Sequence, residues 1–388
     1  MLIEKSGRLR STPDPANHKD VPMARKLWRI AKITLLSLLA LLIILIICAI
    51  SYRAIRQHQN SAALAIRSPN GIDEAMFVPV GGIDQWITIR GRNRDNPVVL
   101  FLHGGPGTPT NLLDFPFANA WTPTFTLVQW DQRGAGKTFA SGGTTAADMT
   151  IDRMAQDGVE LTKFLREHLH KDKIIIVGHS WGTILGIHMA KAHPELFYAY
   201  VGAGQVVNAQ ENEAVNYARV LDKAEALGDT KAIAELQASG PPPYPAMKAL
   251  TMQRIWAQAY EHADSYVATE QASSLYAPGY SILDLYHAIQ SIRFTLDTFI
   301  GPTMSGPAMK VDLKTLGPDF AIPIFVFEGP DDYITSPDLA KAYVDAINAP
   351  QKAFLLLPAG GHFAVFTHSE DFLKEMNSRV RPLASQSP

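Results

Sequence analysis

Four apolar residues, Ile174-Ile175-Ile176-Val177, run directly into Gly178-His179-Ser180-Trp181-Gly182, and Trp181 to Ala192 then has helical spacing until Pro194 ends it. An uninterrupted run of this kind predicts a strand covered on both faces, which is the environment of a parallel sheet with helices packed on either side. A strand that becomes a helix within one residue must turn sharply. Glycine at 178 and 182 gives the backbone that freedom and leaves room for a serine held in a strained conformation. The turn lifts the Ser180 hydroxyl to the end of the strand, and the helix N-terminus behind it favours developing negative charge.

The rest of the chain keeps the same rhythm. Val98 to Leu102, Thr126 to Trp130, Tyr198 to Ala203, Ile322 to Phe327 and Ala353 to Leu357 read as strands, and Ile151 to His168 as a helix with Met154, Leu161, Phe164 and Leu165 on one side. Gln85 to Ile89 reads as one arm of a hairpin after Gly81-Gly82. Strands alternating with helices predict an α/β fold with a mostly parallel central sheet. The rhythm breaks for a helical, aromatic-rich block that begins after the strand at 198–203 and includes Pro241-Pro242-Pro243, which reads as an inserted cap. The expected boundaries are core over 76–205, cap over 206–315 and core again over 316–380.

Ahead of the core lies a different kind of segment. Ile33 to Ile50, ITLLSLLALLIILIICAI, carries no charge, and with Trp28 and Ile30 it is long enough to cross a bilayer as a helix. The expected anchor is 30–51. It is preceded by a basic tail over 1–29, with Arg25, Lys26 and Arg29 beside the anchor, and followed by a linker or opening helix over 52–75. The excess of Lys and Arg on the N-terminal side predicts a single-pass protein with that end in the cytoplasm and the remainder outside it. The apolar run exceeds a signal peptide's core and no small-x-small site follows it closely, so cleavage is the rival reading. The single cysteine, Cys48, lies within this run, so no disulfide framework is available. A net charge of −2 gives no basic face for a nucleic-acid partner.

A serine hydroxyl needs a base, and the base needs an orienting acid; in this strand–turn–helix context they follow in the order Ser, acid, His. His362, in Gly360-Gly361-His362 after one strand end, is the expected base, ahead of His368. Asp332, three residues after Gly329, is the expected acid, with Asp331 as the alternative and Glu328 read as structural. The glycine-rich turn His103-Gly104-Gly105-Pro106-Gly107 offers backbone N–H groups for a substrate oxyanion. Gly105 is the expected first donor, with Gly104 the alternative, and Trp181 N–H the second. Asp131-Gln132-Arg133-Gly134-Ala135-Gly136-Lys137 lacks phosphate-loop spacing and reads as a turn with a buried Asp–Arg pair. No metal or cofactor is expected.

The HGGPG segment at 103–107, the DQRGAG segment at 131–136 and the GHSWG segment at 178–182, with His193-Pro194-Glu195 and Gly361-His362, together resemble the proline iminopeptidase family of α/β-hydrolases. The resemblance covers roughly 75–370 apart from the cap. It implies removal of the N-terminal residue, often proline, from short peptides through an acyl-enzyme, with Ser180 attacking, His362 shuttling the proton and Asp332 holding His362. It also implies that acidic cap residues receive the substrate's amino group. Glu211, Glu213, Glu261 and Glu270 are the available carboxylates, and the sequence assigns the role to none of them. His179 stands where that family usually has glycine. Related epoxide hydrolases and haloalkane dehalogenases use aspartate as nucleophile, which Ser180 argues against. The alternative activity is that of a carboxylesterase or lipase-like enzyme on small apolar esters, and a catalytically silent binding protein is the reading from another class.

Overall fold

The computed structural model describes residues 23–113, 115–261 and 264–384. The expected basic tail therefore lies outside the described residues as far as position 22. Two compact units divide at Ile55. In the first, residues 23–55 are helical throughout. They belong to one unbroken helix, Met23–Leu64, which is long and apolar enough to cross a membrane. None of its most apolar 18-residue stretch is buried within the protein. At about 1.5 Å per residue such a stretch spans about 27 Å, close to a hydrocarbon core.

The second unit is built on an eight-stranded sheet of order β1-β2-β4-β3-β5-β6-β7-β8. The strands are β1 Ile72–Val80, β2 Ile83–Gly91, β3 Val98–Leu102, β4 Thr126–Trp130, β5 Ile174–His179, β6 Phe197–Ala203, β7 Ile324–Glu328 and β8 Lys352–Leu356. β1 and β2 form a hairpin, β2 runs antiparallel to β4, and β4-β3-β5-β6-β7-β8 are parallel. Alternation along the central strands feeds two cores. Val98, Leu100, Leu102, Ile174 and Ile176 pack on one face, while Val99, Phe101, Ile175 and Val177 pack on the other. Helices Ile151–Leu169 and Trp181–Ala192 cover the first face; Ala118–Trp121 and Ser369–Glu375 cover the second.

The DQRGAG turn after β4 anchors the hairpin edge. Asp131 and Arg133 are both buried there, as expected of a buried Asp–Arg pair, but they are not each other's partners. Arg133 Nε donates to Asp157 Oδ2 at 2.7 Å, and Arg133 Nη2 donates to Asp157 Oδ1 at 3.1 Å and to Gly81 O at 2.7 Å. Asp131 instead accepts from Asn111 Nδ2 at 3.0 Å and Lys137 N at 2.8 Å, and burial pushes its carboxyl up to about 6. Arginine chose the carboxylate that its planar fork could meet bidentately. Asp157→Ala would leave a buried guanidinium unpaired; a loss of about 3–5 kcal/mol is expected, read from the denaturant midpoint.

Between β6 and β7 the described residues form five α-helices, Ala209–Leu227, Thr230–Ser239, Met247–Tyr260, Asp264–Ser274 and Ile282–Phe299. Three of their N-terminal ends are fixed by side chains: Asn208 accepts from Glu211 N, Asp229 from Ala232 N, and Ser281 and Asp284 form a capping box. Tyr217, Val220, Ala224, Leu236, Tyr244 and Ala257 make a separate core here, which also takes in Tyr333 from the loop after β7.

Candidate active site

Ser180 occupies the tip of the turn between β5 and its helix at φ 52, ψ −119, the left-handed region in a non-glycine residue. The strain is held from both sides. Ser180 N donates to Ala203 O at 2.9 Å, and Ser180 O accepts from Thr183 N at 2.9 Å. The flanking glycines have no room for a side chain: a Cβ on Gly182 would lie 2.0 Å from Leu102 O, and one on Gly178 would lie 2.7 Å from Gly182 O.

Three loops at the C-terminal ends of the strands meet this serine. The loop after β7 carries Asp332, fully buried, and the loop after β8 carries His362. His362 Nδ1 lies 2.9 Å from Asp332 Oδ2. Asp331 is exposed and its N–H donates to Gly360 O. The remaining oxygen of Asp332 accepts Ile334 N at 2.7 Å and Thr335 N at 2.6 Å, and Thr335 Oγ1 donates to Oδ2 at 2.6 Å. Burial alone would raise the Asp332 carboxyl, but the charge of His362 and these hydrogen bonds hold it below its usual value. Burial likewise opposes the charged form of His362, and the Asp332 carboxylate outweighs it, so the imidazole titrates above its usual value.

The loop after β3 brings the glycines. A Cβ on Gly104 would lie 3.2 Å from the Ser180 Cβ, so this backbone packs directly on the serine. Gly104, Gly105, Ser180 and His362 line one cavity of about 270 Å³ together with Tyr266 and Phe363. Gly105, Ser180, Trp181, Glu213, Arg254 and Leu250 border a second of about 320 Å³. The two share Ser180 and Gly105 and form its two sides.

Two buried histidines serve as neutral struts. Gln132 N donates to His103 Nε2 at 3.3 Å, so His103 carries its proton on Nδ1, 2.8 Å from Gly104 O; burial pushes it down to about 4. His179 Nε2 lies 3.0 Å from His362 O, and burial, reinforced by the charge of His362, pushes it down to about 3. His179 thus braces the loop that holds His362. His368 contacts Thr367 rather than the acid.

The four carboxylates considered for a substrate amine separate clearly. Glu211 is exposed and pairs with Lys314. The side chain of Glu270 lies outside the described residues. Glu213 is buried and its Oε1 pairs with Arg254, but among the described residues its Oε2 has no hydrogen-bond partner. Glu261 accepts Tyr333 N through Oε1 and His362 N through Oε2, each at 2.8 Å, and so bridges the acid loop and the base loop. Burial, then the nearby Asp332 charge, pushes it up to about 7. Glu328 likewise accepts Gly204 N at 2.9 Å and Gln205 N at 2.7 Å, tying the ends of β6 and β7 together as the structural reading expected.

A family model described as alpha/beta hydrolase fold matches residues 97–369. The chain belongs to the α/β-hydrolase fold family. Within it the chain is proline iminopeptidase-like. It is 28% identical over 289 residues to a protein of Bacillus subtilis named "Probable aminopeptidase YbaC", covering 73% of this chain and 88% of that one. It is 29% identical over 119 residues to the proline iminopeptidase of Lactobacillus helveticus, covering 30% of this chain and 39% of that protein. The crystal structure of the proline iminopeptidase of Mycobacterium smegmatis has the same fold, with a TM-score of 0.58 at 18% identity, over 80% of this chain and 99% of that one. The family match thus runs from just before β3 to beyond β8, and the named iminopeptidase matches over about two fifths of its length.

The structure brings Ser180, Asp332, His362, Gly105 and Trp181 together at the strand ends, while the sequence assigned no bracing role to the residues that hold them. Thr335 could have been found, since a hydroxyl three residues after a buried carboxylate is a common turn partner. Nothing local marks Glu261 or His179, because both act on backbone groups from distant loops.

Proposed function

We propose that this α/β-hydrolase is a serine aminopeptidase of the proline iminopeptidase type. The observation that carries the reading is that His362, hydrogen-bonded to the buried Asp332, shares a cavity with Ser180. The five helices between β6 and β7 act as its cap. Asp332 holds the Nδ1 proton of His362, which leaves Nε2 to accept the proton of Ser180 Oγ. The serine oxygen attacks the carbonyl of the N-terminal residue, and the resulting oxyanion is received by the N–H groups of Trp181 and Gly105. His362 then passes its proton to the leaving amine, and water, activated by the same imidazole, releases the acyl group and restores Ser180.

A free ammonium entering an apolar cavity needs a carboxylate partner. Glu213 is the cap carboxylate best suited, since it borders Ser180's cavity and one of its buried oxygens has no hydrogen-bond partner among the described residues. Glu213→Gln is therefore expected to raise KM for a free-amine substrate about 10- to 100-fold, the worth of one charge-assisted hydrogen bond. It should leave turnover of a neutral ester nearly unchanged. Steady-state kinetics on both substrates check this.

The test of the activity compares prolyl-p-nitroanilide, its N-blocked analogue and p-nitrophenyl butyrate on the full chain in detergent. Cleavage of the free-amine substrate with none of the blocked one supports the reading. Cleavage of the ester alone overturns it in favour of a carboxylesterase. The long apolar helix, in this reading, anchors the enzyme in a membrane with the N-terminus cytoplasmic and the catalytic unit outside.

A further inference from the structure

The helix Ile282–Phe299 is two-faced in an unusual way. Its inner face is buried through Ala288, Ser291, Thr295 and Phe299. Its outer face should be polar in a water-facing helix. Instead its first two turns present Ile282, Leu283, Tyr286 and Ile289, at 59%, 59%, 56% and 67% exposure. The spacing of 282, 286 and 289 keeps these side chains on one stripe. The same stripe turns ionic further on, where Arg293 pairs with Asp297. A contiguous apolar stripe of large side chains facing outward marks an interaction surface, where a single exposed leucine would not.

The apolar end is also the tethered end. Gln57 Nε2 donates to both Ala277 O and Tyr280 O at 2.8 Å, and Asn60 Nδ2 donates to Tyr276 O at 3.0 Å. These carbonyls lie within the five residues before Ser281, the N-cap of the helix in question. Gln57 is five residues beyond Tyr52, where the uncharged run has just ended. Even fully extended, five residues reach only about 18 Å. A chain whose Ile33–Ile50 segment spans a bilayer must therefore hold the start of this helix near the bilayer surface.

We infer that the outer face formed by Ile282, Leu283, Tyr286 and Ile289 lies in the lipid interface of the membrane that the N-terminal helix crosses. This rests on the anchor reading above. The polarity gradient fits: apolar residues sit at the tethered end, the tyrosine can keep its hydroxyl at headgroup level, and the Arg293–Asp297 end rises into water. The cap is thereby held down at one edge, with the bilayer as a second support.

The test uses the full chain in phospholipid vesicles, with Cys48→Ser and a single environment-sensitive fluorophore on Ile282→Cys, Ile289→Cys or Asp297→Cys. Lipids carrying a quencher in the acyl chain report depth. Quenching at 282 and 289 several times that at 297, abolished by Leu283→Glu with Tyr286→Glu, is the expected result. Co-flotation with vesicles but equal, weak quenching at all three positions overturns the inference while leaving the anchor intact. Weak quenching with chain-to-chain cross-linking at 289 overturns it in favour of a second copy. A chain that does not float with vesicles removes the anchor reading and this inference together.

Discussion

Ser180→Ala lowers kcat on prolyl-p-nitroanilide by about a million-fold, to the residual rate that an oxyanion site and binding supply without a nucleophile. The loss is chemical rather than structural. The backbone bonds that hold the turn, Ser180 N to Ala203 O and Thr183 N to Ser180 O, do not involve the hydroxyl. Alanine keeps the Cβ that packs on Gly104, and no side-chain hydrogen bond caps the following helix through Ser180. The thermal midpoint should therefore stay where it is, which circular dichroism checks on the same sample. A variant that keeps a tenth of its activity would mean that the bond is broken by another group.

Asp332→Asn is expected to cost about 10,000-fold in kcat and to move the acid limb of the pH profile. Asparagine retains an acceptor for Ile334 N and Thr335 N, so the loop should keep its shape. Its amide nitrogen, however, faces His362 Nδ1 and forces the proton onto Nε2, where it can no longer accept from Ser180. The electrostatic consequence has a definite sign. In the wild type the Asp332 charge overcomes burial and raises His362 above its usual 6.5. The proposed mechanism uses neutral His362 as the base, so kcat/KM should fall as pH drops through a midpoint above 6.5. Without the carboxylate, burial and then the Arg254 charge lower His362, opposed by Glu261, so the residual activity should persist to lower pH. Profiles of kcat/KM from pH 5 to 9 on both proteins test this, and an unmoved limb would mean that another group controls it.

The fold was legible wherever a strand was buried on both faces, because continuous apolar runs carry that signature. Val98–Leu102 and Thr126–Trp130 were read with the observed limits, and β6, β7 and β8 within one or two residues. β1 was harder. It begins at Ile72, inside the stretch taken as linker or opening helix, and alternates buried with exposed positions at an edge, so its apolar signal is diluted. The site divided in the same way. Ser180, Asp332 and His362 stand at strand ends with glycine punctuation, which a single sequence displays. The groups that brace them do not. Arg133 meets Asp157 instead of a carboxylate in its own turn, and Glu261 reaches across 72 and 101 residues to two backbone N–H groups. A partner that is only a peptide N–H leaves no trace in residue identity, and a contact across that sequence separation is set by tertiary packing.

Covalent labelling tests the central claim most directly, that Ser180 is an activated nucleophile. The full chain is incubated with a fluorophosphonate, and the adduct is weighed on the intact protein and mapped by peptide mass spectrometry. A single adduct on Ser180, absent from Ser180→Ala and strongly slowed in Asp332→Asn, is the predicted result. No adduct, or one on a different residue, would contradict the account.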